Sequence, residues 1–71
     1  MLFNRGDLVS LKSGGPRMKV LGYLKRGDPD CDSWLKKGWS ERDILCRWLD
    51  ESAKQEKAQA FSPHWLDKLE S

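Results

Sequence analysis

Apolar and polar residues alternate in three stretches of the chain, and each predicts a strand with one buried face. "GDLVSLK" (6–12) sets Val9 and Leu11 on one side and Ser10 and Lys12 on the other. "SGGP" (13–16) is a concentrated turn signal, since the glycines accept positive φ and Pro16 has no donor for a ladder. "RMKVLGYLK" (17–25) resumes the alternation, with Met18 and Val20 inward and Arg17, Lys19 and Leu21 in an outward row. Gly22 interrupts it and predicts a bulge or bend, which a small barrel needs at its corners. "DILCRWLDE" (43–51) is the clearest buried strand, with Ile44, Cys46 and Trp48 on one face and Leu45 and Leu49 on the other, interrupted by Arg47. Residues 52–57 read as a loose connection, and "AQAF" (58–61) as a short returning strand despite its helix-friendly residues. At 62–71, Ser62 is placed to cap, Pro63 sits at the first helical position, and Trp65, Leu66 and Leu69 follow at helical spacing. One or two closing helical turns are expected there.

Between the second and third strands, "RGDPDCDSWLKKGWSERD" (26–43) shows little periodicity and is long for an internal loop. Short helical turns are expected near Trp34–Lys37 and at Ser40–Asp43, the latter capped by Ser40. The expected core is Val9, Leu11, Met18, Val20, Ile44, Cys46, Trp48, Phe61 and Leu66.

Length narrows the picture to one domain, because 71 residues support no second core. Four Trp, two Phe and one Tyr supply much of the apolar area that so short a chain needs. Charged residues make up 34% of the chain with both signs mixed, which argues against global disorder. No apolar run approaches the roughly 20 residues of a membrane span, and the N-terminus lacks a signal-peptide pattern. A cytoplasmic protein without membrane contact is expected.

Charge then divides the chain. Residues 1–26 carry six basic side chains (Arg5, Lys12, Arg17, Lys19, Lys25, Arg26) against one acid, Asp7, while the remainder is net acidic. Such asymmetry points to anionic partners, against the plainer explanation that a small barrel simply carries charged outward faces.

Most catalytic and ligand chemistries fail on spacing. "KSGGP" joins two strands with Lys12 ahead of the glycines, whereas a phosphate-cradling loop needs G-x4-G-K-[ST] running from a strand into a helix. Asp28, Asp30 and Asp32 alternate like the start of a calcium loop, but Ser33 and Trp39 stand where Gly and Glu are required. A solvated acidic loop is expected instead. Cys31, Cys46 and His64 give no C-x2-4-C pair for zinc and no triad spacing for nucleophilic catalysis. No catalytic, cofactor or metal residues are therefore assigned. Cys46 reads as a small buried hydrophobe, and Cys31, in a polar loop, as the more exposed thiol.

The residues also carry a family resemblance. "GDLVSLKSGGPRMKV", then Cys46 and Trp48 in "CRW", then Phe61 and Leu66, follow the pattern G-D-x-V-x-L-K-S-G-G-P-x-M-x-V, C-x-W-[FY], F-x4-L. Gly6, Asp7, Val9, Leu11, Lys12, Ser13, Gly14, Gly15, Pro16, Met18 and Val20 fall on its first block. In this the chain resembles the YodC-like family of small bacterial proteins. The matched blocks cover 6–20, 46–49 and 61–66, well under half of the chain. The resemblance implies a mainly β, small SH3-like barrel of bacterial or phage origin, and it brings no activity. Leu49 stands where the family usually has an aromatic, and roughly 27–42 is an insertion that shorter members lack.

Two binding functions are expected to compete. In the first, the chain is a non-enzymatic module acting through protein contacts, an adaptor or inhibitor of a larger assembly. Trp34, Leu35, Lys36, Lys37 and Trp39 of the insertion would form its surface, since aromatic residues are enriched at interface hot spots. In the second, it is a nucleic-acid-binding barrel using Lys12, Arg17, Lys19, Lys25 and Arg26, with Tyr23 or Trp34 stacking on a base. Trp34 and Trp39 bear on the choice, because they could instead fold back to cover the barrel. The protein partner is not specified by the residues, and either a monomer or a small homo-oligomer is compatible with them.

Overall fold

The computed structural model describes residues 3–69, in which the three alternating stretches become β1 (Leu8–Leu11), β2 (Met18–Tyr23) and β3 (Ile44–Asp50), and the returning strand becomes β4 (Gln55–Phe61). One helix, α1 (Pro29–Lys36), lies between β2 and β3, and a 3-10 turn at Pro63–Trp65 leads into a last strand, β5 (Leu66–Lys68). The protein is mainly β: five antiparallel strands form one sheet in the order β4-β3-β2-β1-β5. Among the described residues no helix is long and apolar enough to cross a membrane.

The inner face follows the period-two pattern. Val9, Met18, Val20, Ile44, Cys46, Phe61 and Leu66 form one buried cluster together with Phe3, and Leu11, Tyr23 and Trp48 pack half-buried against it. Every expected core position is therefore buried or packed on this cluster. Burial pushes the Cys46 thiol up to about 11, so it stays protonated at neutral pH.

Gly22 does what the sequence suggests. The β2–β3 register runs Val20↔Cys46 and then Gly22↔Leu45 and Tyr23↔Ile44, with Leu21 as the extra residue. Unbroken alternation would turn Tyr23 outward. The bulge returns Tyr23 to the inner face, and Leu24 is buried in a second cluster on the outer one. At Gly22 φ is +142°, a conformation that side-chain-bearing residues rarely adopt.

That second cluster has no counterpart in the local pattern. Leu24, Cys31, Leu45 and Ala60 are buried in it, with Leu21, Trp34, Leu35 and Trp39 packed around them. Cys31 is accordingly buried rather than exposed, because α1 turns it onto the sheet.

The C-terminal part also differs from expectation. Ser62 does cap, its Oγ accepting from His64 N at 3.4 Å, with Pro63 at the first position. Only one 3-10 turn forms, however, and Leu66–Lys68 then pairs with β1, Leu66 opposite Leu11. The free edge of β1 offers a ladder, and pairing there buries Leu66, which a further helical turn would not satisfy. Residues 70 and 71, at the end of the expected helical stretch, lie outside the described residues. β4 likewise begins at Gln55, earlier than expected, because full pairing with β3 brings Glu56 to Arg47 and Lys57 to Asp50.

Asp50 closes the β3–β4 turn. Its carboxylate takes Lys57 Nζ at 2.8 Å, Ser52 Oγ at 2.7 Å, and the Ser52 and Ala53 amides at 3.1 and 3.3 Å. Lys57 first, then Ser52 and the Ala53 amide, hold its pKa well below the usual carboxylate range.

Two outcomes are expected. Gly22→Ala meets no atom within 4 Å of the added carbon, so its cost is backbone strain alone; it should lower stability by about 1–3 kcal/mol with an unchanged denaturant slope in urea unfolding. For Asp50 the folded pKa is depressed, so its stabilisation is complete above the unfolded pKa of about 3.9 and lost as the pH falls below it. Asp50→Asn should therefore lower the Tm at neutral pH, with the gap to the parent narrowing as thermal melts are taken from about pH 5 down to about pH 2.

Candidate functional site

The insertion at 27–42 contains one helix, α1, with complete punctuation at both ends. Asp28 is its N-cap, accepting from Asp30 N at 2.9 Å, and Pro29 takes the first helical position. Asp30 and Asp32 fall in the first turn, where the helix dipole favours negative charge. The three alternating acids thus begin a helix, not a solvated loop. At the other end Gly38 N donates to Leu35 O at 3.1 Å and Trp39 N to Trp34 O at 3.2 Å, a Schellman termination with Gly38 in the left-handed region.

This termination positions the aromatic residues of the insertion. Trp34 and Trp39 both pack half-buried on the second cluster, as does Leu35. Lys36 and Lys37 remain exposed; Lys36 pairs with Asp32 at 3.3 Å, and Lys37 Nζ lies 4.7 Å from the centre of the Trp34 ring. Ser40 caps the turn that follows, its Oγ accepting from Arg42 N at 3.2 Å, while Asp43 takes Ser40 N at 2.9 Å.

A residue outside the insertion completes this surface. Trp65, on the 3-10 turn, meets Trp39 edge to face with ring centroids 6.0 Å apart and planes at 82°. Trp65 is 51% exposed, unlike the half-buried tryptophans of α1 and its flank. Its carbonyl accepts from Lys12 N at 2.8 Å, which ties the end of β1 to the same region. Helical spacing groups Trp65 with Leu66, and no local signal in the sequence separates the exposed one from the buried one.

The six residues of the expected basic hairpin are not brought to one face. Arg17 lines an open depression of about 670 Å³ with Pro16, Trp48, Leu49, Asp50 and Glu51. Arg26 pairs with Glu41 at 3.4 Å. Tyr23 is half-buried on the inner cluster, its hydroxyl accepting from Phe3 N at 3.2 Å, and together with Lys25 it borders a depression reaching toward α1. Lys12 lies beyond the end of β1, whereas Lys19 faces outward from β2 directly opposite Arg47 of β3.

Among the described residues no group of three or more His, Cys, Asp or Glu side chains is placed to hold a metal ion. The Gly6–Asp7 pair is structural. Gly6 N donates to Val20 O at 2.8 Å, and the Asp7 carboxylate takes Asn4 N at 2.8 Å and Lys68 Nζ at 3.4 Å. The Asn4 amide first, and then Lys68 against some desolvation, lower the Asp7 pKa.

The family described as "Uncharacterized small protein (DUF2158)" matches residues 4–66, a span that takes in both the glycine turn and the insertion. The chain belongs to this family. The match agrees with the resemblance carried by the "GDLVSLKSGGP" and "CRW" blocks. No curated protein and no solved structure matches the chain.

The packing of the insertion gives a direct expectation. Trp34→Ala should cost about 2 kcal/mol in denaturant unfolding, since a half-buried indole leaves a partial cavity on the second cluster. Leu49→Ala, at a side chain 58% exposed, should stay within about 0.5 kcal/mol of the parent.

Proposed function

We propose that the protein is a non-enzymatic binding module, an SH3-like barrel that holds a protein partner on the surface shared by the insertion and the 3-10 turn. The Trp39–Trp65 pair carries this proposal: a half-exposed indole, braced edge-on by a second that is anchored in the outer cluster. Rigid aromatic anchors of this kind lose little entropy on binding and dominate interface energetics. The strand order β4-β3-β2-β1-β5, with a 3-10 turn between β4 and β5, supports the SH3-like assignment.

The lysines of the surface suggest what is bound. Lys12 borders Trp65 through the backbone, and Lys36 and Lys37 are exposed at the end of α1. A partner segment with an apolar anchor flanked by acidic residues matches this composition. Trp34 and Leu35 contribute from beneath, by fixing α1 on the sheet. A reducing cytoplasmic setting suits Cys31 and Cys46, both buried free thiols.

A photo-crosslinking residue placed at position 65, and separately at the exposed position 49, tests the surface. Position 65 should yield one defined protein adduct from cell lysate that persists after nuclease treatment, and Lys12→Glu should reduce it. Equal adducts at both positions, or an adduct removed by nuclease, would sink the proposal.

A further inference from the structure

The outer face of the sheet carries cations in an arrangement that folding alone does not favour. Lys19 and Arg47 are directly paired residues of β2 and β3, so their side chains leave the same face side by side. Like charges directly opposite each other destabilise a sheet. Arg5, from the segment before β1, joins them around one depression of about 360 Å³. Among the described residues neither Lys19 nor Arg5 makes an ion pair, while Arg47 reaches Glu56 at 3.2 Å across the exposed surface. An exposed pair of that kind contributes little and is readily exchanged.

The depression does not end there. Arg5 and Leu21 also line a second one, of about 390 Å³, which continues past Tyr23 and Lys25 to α1. Together they make a track with Arg47, Lys19, Arg5 and Lys25 along it and Leu21 and Leu45 on its floor. Asp28 and Asp30 close the helix end of the track. A linear polyanion fits such a run better than a single small anion, and the apolar floor suits exposed base faces, which a duplex hides.

We propose that this track binds single-stranded nucleic acid, with Arg5, Lys19 and Arg47 holding successive phosphates and Leu21 beneath the bases. Arginine forks and a lysine point charge are the side chains suited to phosphodiester oxygens. The site keeps a nucleic-acid-binding function, and Lys19 and Lys25 of the expected hairpin set, but drops Lys12, Arg17 and Arg26 and adds Arg5 and Arg47 from outside 12–26. It is separate from the Trp39–Trp65 surface.

Fluorescence anisotropy of a labelled oligothymidylate of about 12 nucleotides tests it. Binding is expected at low salt, with a log–log salt slope that falls by about 0.7 for each phosphate contact removed. Arg5→Gln and Lys19→Gln should each weaken binding by about tenfold or more, whereas Arg17→Gln and Trp65→Ala should leave it within about twofold. Lys19→Gln should also leave the Tm equal or higher, since it removes the like-charge pair, so that lost binding is distinguished from lost folding. Absence of binding at low salt would overturn the proposal. So would an equal loss from Arg17→Gln, which would return the footprint to the hairpin, or displacement of the oligonucleotide by polyglutamate at matched charge, which would assign the track to acidic protein.

Discussion

The pairing of β2 with β3, broken once between Val20 and Gly22, is the constraint on which the rest of the molecule depends. Before the break, Val20 faces Cys46 on the inner cluster; after it, Tyr23 faces Ile44 on that same cluster, and Leu24 is buried in the outer one. One extra residue therefore serves two cores. On β3 three consecutive residues, Ile44, Leu45 and Cys46, are buried, which is possible only when both faces of the strand are covered.

The insertion covers the second face. A 71-residue chain has little apolar surface to spare, and an outer face with Leu21, Leu24, Leu45 and Ala60 left bare would be an exposed apolar patch. The helix closes it with Cys31, Trp34 and Leu35, and Trp39 follows past the Schellman turn. The cover is partial. Beyond the reach of α1 the outer face changes from leucine to lysine and arginine, and Lys19 and Arg47 stand where the apolar side chains stop. Trp39, packed at the edge of the same cluster, meets Trp65 edge to face. Both candidate surfaces thus arise at the margins of one helix-on-sheet contact.

The inner core is legible in the sequence because its signal is local: period-two alternation in "VSL", "MKV" and "ILCRW" assigns each side chain to a face whatever lies across it. The helix is legible in principle too. Asp28–Pro29 at one end and Lys37–Gly38 at the other are ordinary start and stop signals, but the eight residues of the helix carry too weak an apolar period to be recognised as one element. Cys31 is misplaced for the same reason, since an acidic sequence context describes its neighbours along the chain and not the leucines packed against it.

What the sequence determined by itself was the inner face of the sheet, the hairpin turn at "SGGP", the bulge at Gly22, the cap at Ser62 and the family, all of them consequences of backbone chemistry within a few residues. Tertiary structure alone decided that Leu66–Lys68 would be a strand, that Trp65 would stand exposed beside Trp39, and that Lys19 would face Arg47. Each of these joins elements far apart along the chain. Pairing across such distances depends on which ladder edge is free and which face is still uncovered once the central strands are in place, and no local pattern encodes either.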